Sequence, residues 1–279
     1  MERDLIKEIS QRADKYKITA IIQEGDKLNK AAVYDSSLPY EVLLVVEEPA
    51  GFDHSLFEEL GEKILGYVHE NKDERVFEYI YRGSIKLIAR VRSKEGINEN
   101  IRKNSLSQII LDRDNIIEPI RVPTDLTQRT KEPSPLEYFN LINEFYSKIY
   151  DVGISMMKDE KVRTCYIFEE ARRVLLKMAE YNIGAKYDFK VNPGDNGKNM
   201  GVYLDKDQYE LMLNSISEIE EEPMWTSIFN SCSLFRKLAM EVAEKLNFQY
   251  LKKTDVEIIK FLRSIWEKTS KVRFSYEEK

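Results

Sequence analysis

The chain has 279 residues, of which 42% are hydrophobic and 33% charged, so it is neither disordered nor membrane-like, and at roughly 100–200 residues per domain it suggests two domains. Lys and Arg total 43 against 49 Asp and Glu, a net charge of −6, which lacks the basic surplus of a nucleic-acid binder. No apolar stretch approaches the ~18 residues that cross a bilayer, and Met1-Glu2-Arg3-Asp4 opens no secretory signal. Cys165 and Cys232 cannot build a disulfide framework and suit a reducing cytoplasm. The expectation is a cytoplasmic protein without nucleic-acid or membrane partners.

In chain order, Glu2–Lys17 places Leu5, Ile6, Ile9 and Ala13 at helical spacing. Ile18–Gln23 reads as a short apolar strand running into Gly25, and Tyr40–Glu47 as a second strand, apolar enough for the middle of a sheet. Asp53 then reads as the N-cap of a helix to about Glu70, because Leu56, Phe57, Leu60, Ile64 and Val68 form a stripe. Arg75–Tyr81 and Ile85–Arg92 flank Arg82-Gly83-Ser84, a predicted hairpin. These elements predict a small mixed-sheet domain over residues 1–120.

Residues 121–134, with Pro123 and Pro133, read as a linker. Beyond them the period becomes helical: Leu136–Met157, Lys161–Tyr181, Asp205–Ile216, Trp225–Leu246 and Asp255–Trp266, with Ser134, Pro135 and Glu137 as a helix start. The expectation is an α+β protein: a mixed β-sheet with helices, then an all-helical domain over 135–267 and a polar, frayed tail over 268–279.

A glycine between a strand and a helix lets backbone N–H groups approach a phosphate. Two acids at i and i+2 on the next strand share a face and, with a third carboxylate from a neighbouring strand, hold magnesium. That is the design of nucleotidyltransferases, although strand-Gly-helix alone occurs in many α/β domains.

The second half is more distinctive. Leu175-Leu176-Lys177-Met178, Ile183–Asn192, Gly197-Lys198, Tyr203–Lys206, Met224-Trp225 and Leu234–Ala243 occur in that order, and the run over Leu175–Phe248 resembles the helical domain of the aminoglycoside 6-adenylyltransferases, the streptomycin-modifying family. Ser105-Leu106 with Leu111–Asn115 resembles the end of that family's nucleotidyltransferase domain. The resemblance implies AMP transfer from ATP to an aminoglycoside hydroxyl, assisted by Mg²⁺. It also implies that Asp188 is a base for that hydroxyl or a contact for the substrate's ammonium groups, against the plainer reading of a helix-end acid in a turn, and that Lys186 touches a phosphate, with a solvent-facing lysine as the equal alternative.

The first half departs from the family pattern. Where the family has Gly-Ser-Arg the chain has Gly25-Asp26-Lys27, a degenerate nucleotide-binding motif. Where it has Asp-x-Asp, the chain has Pro39-Tyr40-Glu41, and where it has Ile-Asp-Leu, Ile85-Lys86-Leu87. Pro39 and Lys86 cannot ligate Mg²⁺, Glu41 is the lone remaining carboxylate, and Asp26 repels a triphosphate. Asp35 or Glu47 remain as stand-ins.

The leading expectation is therefore a catalytically disabled homologue that keeps an interdomain cleft for a cationic small molecule such as an aminoglycoside. No metal or cofactor is assigned. The alternative is an active nucleotidyltransferase using ATP and Mg²⁺; a purely structural protein is a third reading. Lys86 is expected within ~4 Å of Glu41 or bridged to it by one water, the alternative being that it turns to solvent. The remaining conspicuous residues have plainer readings: Glu220–Glu222 a solvated helix entry, Lys198 part of a turn, Trp225 and Trp266 helix-packing anchors, the cysteines structural thiols, His54 exposed and His69 at a helix end.

Overall fold

The computed structural model describes residues 4–29, 37–71, 74–120, 122–216 and 218–277. The chain divides into two compact units, Met1–Gln128 and Arg129–Lys279.

The first unit is built on a six-stranded mixed sheet. Its elements are α1 (Leu5–Gln11), β1 (Ala20–Glu24), β2 (Tyr40–Val45), α2 (Ser55–Glu58), β3 (Lys63–Glu70), β4 (Glu74–Tyr81), β5 (Ile85–Arg92), α3 (Ile97–Arg102) and β6 (Ser107–Asp112). The strand order is β3-β4-β5-β2-β1-β6. β2 and β5 run parallel, and the other neighbours are antiparallel. Alternation along the strands sends two sets of apolar side chains to opposite faces. Ile21, Val42, Leu44, Phe77, Tyr79, Leu87 and Ala89 pack with α1 and α2 residues such as Leu5, Ile9, Leu56 and Phe57. Ala20, Ile22, Leu43 and Val45 pack with Ile97 and Ile101 of α3 and with Ile117.

Several expectations change here. The helix expected over 53–70 is one turn, α2, followed by β3. Asp53 accepts from the Ser55 amide but is not the N-cap, and His69 lies on a strand, not at a helix end. The stripe was helical in spacing, but Gly61 takes φ 137° and the chain then pairs its backbone with β4. The helix expected over 2–17 shortens to α1. The hairpin about Gly83 forms as expected, joining β4 and β5.

The second unit is helical: α4 (Pro135–Met157), α5 (Lys161–Lys186), α6 (Met200–Tyr203), α7 (Lys206–Leu213), α8 (Glu221–Leu246) and α9 (Lys252–Glu277). Ser134 starts α4 with a capping box: its hydroxyl accepts from the Glu137 amide at 3.2 Å, and Glu137 accepts from the Ser134 amide at 2.7 Å. Apolar faces of α4, α5, α8 and α9 share one core, with Phe145 and Phe235 stacked at 3.8 Å. Trp225 is buried there, whereas Trp266 is half-exposed with its edge toward Phe229. The tail expected to fray continues α9 to Glu277. Among the described residues no helix is long and apolar enough to cross a membrane.

Candidate functional site

The strand registers place six residues in one line across the sheet: Ser107, Glu24, Glu41, Ile88, Glu78 and Tyr67. Cross-strand partners share a face, so Glu24, Glu41 and Glu78 project to the same side. Lys86 and Arg90, two residues either side of Ile88, join them there.

Glu24 and Glu41 are direct partners on β1 and β2, an arrangement that like charges oppose. A cation answers Glu24. Arg90 reaches it at 3.0 Å, donates to Asn100 Oδ1 at 2.7 Å, and lies 3.7 Å from Glu74. Glu24 is buried, and burial pushes its pKa up while the Arg90 charge pulls it back. At the other end of the line, Lys86 Nζ lies 2.8 Å from Glu78 Oε2, and the Tyr67 hydroxyl also hydrogen-bonds Glu78. Lys86 holds the Glu78 carboxyl below the usual range, and Glu78 in turn raises the Lys86 pKa.

This corrects the expected partner of Lys86: its ion pair is with Glu78, not Glu41. Glu78 and Lys86 are diagonal neighbours on the β4–β5 pair, in salt-bridge reach. Glu41 raises the Lys86 pKa less than Glu78 does. The Glu41 carboxylate instead sits over Gly25, where a Cβ would lie 2.2 Å from Glu41 Oε1. Gly25 takes φ 84°, a conformation that suits glycine, and its amide donates to Leu106 O at 3.0 Å.

Asp26 opens a one-turn 3₁₀ helix, Asp26–Leu28, in which Lys27 Nζ lies 4.3 Å from the Tyr40 ring centre. Pro39 immediately precedes β2. Asp35 lies outside the described residues. Glu47 follows β2 at the end opposite Glu41, which removes it as a stand-in.

The donor set does not fit Mg²⁺, a hard ion that demands several open oxygens in near-octahedral array. Glu24 is buried against a guanidinium and Glu78 is held by an ammonium. Among the described residues no three His, Cys, Asp or Glu side chains are grouped to hold a metal.

The second unit carries the other candidate. Asp188 follows α5 at φ 53° and Phe189 at φ 55°. The turn exists because Gly184 leaves room for the Phe189 ring, 2.5 Å from where a Cβ would be. Asp188 is two-thirds exposed, with Lys190 at 3.6 Å and Lys245 at 3.9 Å. Lys186 pairs with Asp205 at 2.6 Å. Asp205 caps α7 with Gln208, and Glu241 of α8 accepts from Gln208 at 2.9 Å and from Asn182 at 2.7 Å. Lys198 follows the turn Asp195–Gly197. Sequence reasoning missed Glu24, Arg90 and Glu241, whose signals are register and packing and not local spacing.

The model of the family described as streptomycin adenylyltransferase matches residues 1–265. The chain belongs to that family. Its similar relatives include the aminoglycoside 6-adenylyltransferases of Campylobacter jejuni, 24% identical over 84% of this chain and 85% of the relative, and of Bacillus subtilis (strain 168), 24% identical over 84% and 87%. That of Staphylococcus aureus is 24% identical over 95% and 97%. The crystal structure of an aminoglycoside 6-adenyltransferase from B. subtilis superposes with a TM-score of 0.49 at 20% identity, covering 95% of this chain and 99% of that one.

Proposed function

We propose that this chain is a catalytically disabled member of the streptomycin adenylyltransferase family that still binds a small cationic molecule such as an aminoglycoside. The observation that supports this most is internal neutralisation of the carboxylate line, with Arg90 on Glu24 and Lys86 on Glu78. Nucleotidyl transfer relies on a divalent ion that bridges phosphate oxygens and neutralises developing charge. A line already answered by fixed cations has little use for that ion, and Lys86 repels it. Pro39 offers no ligand, and Asp26 adds an anion beside Gly25. The ligand class comes from the relatives' name and from Asp188, a two-thirds exposed carboxylate that an ammonium group can reach in exchange for its ion pairs with Lys190 at 3.6 Å and Lys245 at 3.9 Å.

The test is incubation with ATP, Mg²⁺ and streptomycin, read by mass spectrometry, alongside calorimetry of ATP·Mg²⁺ and thermal melts with streptomycin. The expected result is no AMP adduct, no Mg²⁺-dependent ATP heat, and a melting temperature that rises with streptomycin. Efficient enzyme-dependent AMP transfer would establish the alternative, an active nucleotidyltransferase with other metal ligands. A melt that ignores streptomycin and related cations would leave a structural role.

A further inference from the structure

β3 is the last strand in the sheet order, so among the described residues no strand pairs with its outer side. All eight of its residues are exposed, and Ile64, Leu65, Tyr67 and Val68 are between 40% and 66% exposed. Native edge strands are blunted by proline, by short length or by charge along the edge. β3 is longer than the usual ~5–6 residues, holds no proline, and keeps its lysine and its glutamate at its two ends.

The backbone groups on that outer side follow from the β3–β4 ladder. The Asn71 amide donates to Glu74 O at 2.9 Å. Bonded and non-bonded pairs alternate along an antiparallel ladder. His69–Val76, Tyr67–Glu78 and Leu65–Ile80 are therefore the pairs that exchange hydrogen bonds with β4, and the N–H and C=O groups of Gly66, Val68 and Glu70 point outward. Such a row is a template for another strand.

The sequence of β3 itself selects the strand. In antiparallel self-pairing, outward residues must meet outward residues, so a two-fold axis passes through one residue of the strand and not between two. An axis through Tyr67 opposes Gly66 to Val68 of the second copy and Leu65 to its His69. It also sets the two Tyr67 side chains opposite each other in a close, non-bonded pair.

The same axis brings opposite charges together at both ends. The bulge between Lys63 and Leu65 puts Lys63 in the row of Gly66, with Lys63 Cδ 3.1 Å from the site of a Gly66 Cβ and Nζ 5.5 Å from the Tyr79 ring centre. Counted along that row, Lys63 stands opposite Glu70 of the second copy. Each has an intrachain partner, Lys63 with Glu58 and Glu70 with Arg75 at 3.0 Å. Self-pairing joins these into a row of alternating sign, Glu58 and Lys63 of one copy, then Glu70 and Arg75 of the other.

We propose that β3 pairs antiparallel with β3 of a second copy about a two-fold axis at Tyr67, joining two six-stranded sheets edge to edge. The contact is isologous and closes on itself. With eight residues a side, against the ~20–30 of a standard stable interface, the dimer is a reversible one. It is independent of any aminoglycoside binding.

Sedimentation velocity of the full chain from about 1 to about 200 µM tests it, because a reversible dimer grows with concentration. The expected result is a monomer–dimer equilibrium. Val68→Pro removes an outward N–H that the β3–β4 ladder does not use and should weaken the dimer by about tenfold or more. Lys63→Glu and Glu70→Lys, each alone, oppose like charges at both ends and should also weaken it. An equimolar mixture of those two variants restores opposite charges at both ends and should dimerise better than either variant alone. Melting curves check that each variant is folded, and if Val68→Pro unfolds, the charge variants and their mixture decide. A chain that stays monomeric throughout, a dimer that folded Val68→Pro leaves unchanged, or a mixture no more dimeric than its components would overturn the proposal.

Discussion

Lys86 of β5 reaches diagonally to Glu78 of β4, Nζ to Oε2 at 2.8 Å, on the face that also carries Glu41. The pair is partly exposed, so as an isolated contact it contributes only about 0.5 kcal/mol. Its consequence is electrostatic: it keeps a fixed positive charge among carboxylates. Lys86→Asp would place a third carboxylate beside Glu78 and Glu41. The variant should melt lower than the parent in chelator and recover when Mg²⁺ is added, whereas the parent should show no Mg²⁺ response. Adding Pro39→Asp and Asp26→Ser should strengthen that recovery. A triple variant indifferent to Mg²⁺ would mean that these side chains do not converge as ligands.

The Glu24–Arg90 pair behaves differently because Glu24 is buried. Arg90→Met removes the cation and leaves an uncompensated carboxylate; since Arg90 is itself about one-quarter exposed, the cost should fall near the low end for broken buried pairs, about 3 kcal/mol. Replacing both groups, as Glu24→Leu with Arg90→Met, should recover most of it. Urea unfolding of the two singles and the double measures the coupling.

The same carboxylate sets a pH dependence with a definite sign. The Glu24 pKa is raised in the folded state above its ordinary 4.5, chiefly by burial. The folded chain therefore holds more protons than the unfolded one in the interval above 4.5, and stability contributed by Glu24 is present below that value and lost as pH rises through the folded pKa. Glu78, depressed by Lys86, runs the other way. The stability difference between Glu24→Gln and the parent should therefore grow with rising pH from about 4.5 upward and then level off. A difference independent of pH would show that Glu24 does not titrate abnormally.

These contacts explain what the sequence disclosed and what it withheld. The β4–β5 hairpin was legible because two runs rich in β-branched and aromatic residues, Arg75–Tyr81 and Ile85–Arg92, flank Arg82-Gly83-Ser84, and Gly83 supplies the turn at φ 91°. The start of α4 was legible because Ser134, Pro135 and Glu137 act on one another locally. β3 was not: Ile64 and Val68 fit a helical stripe, and only backbone pairing with β4, a tertiary fact, overrides it. β6 and α3 were likewise passed over, each only six residues long. Gly25 and Glu41 were singled out and do lie against each other, but Lys86 turns to Glu78, and Glu24 looked like the end of an apolar strand, because its partner Arg90 lies 66 residues away.

In the helical unit, Gly184 sets the path of the chain into Asp188. Gly184→Ala drives a methyl into the Phe189 ring, 2.5 Å from the nearest ring carbons, and should cost about 1–3 kcal/mol by overpacking. Phe189→Leu in the same chain should return part of that loss. Asp188→Asn should keep the turn, since Asn tolerates positive φ, while abolishing any stabilisation by streptomycin. Thermal melts with and without streptomycin separate the packing effect from the charge effect; retained stabilisation in Asp188→Asn would exclude that carboxylate as the cation's contact.

Gly25 and Glu41 offer the sharpest test of how tightly the sheet face is built. Two penalties attend Gly25→Ala. One is intrinsic: φ 84° suits glycine, and a side chain there costs on the order of 1–3 kcal/mol. The other belongs to Glu41, whose carboxylate carbon would stand 2.5 Å from the new methyl. A carboxylate at the end of a flexible side chain can move aside, but doing so disturbs a partner in register with buried Glu24. Glu41→Ser should remove the second penalty and leave the first. The cost of Gly25→Ala, measured by urea unfolding, should therefore be larger in the parent than in the Glu41→Ser background, with a coupling of about 0.5–1.5 kcal/mol, within the range for contacting residues. If the two costs are equal, Glu41 does not press on Gly25 in solution, and the strained turn alone accounts for the glycine.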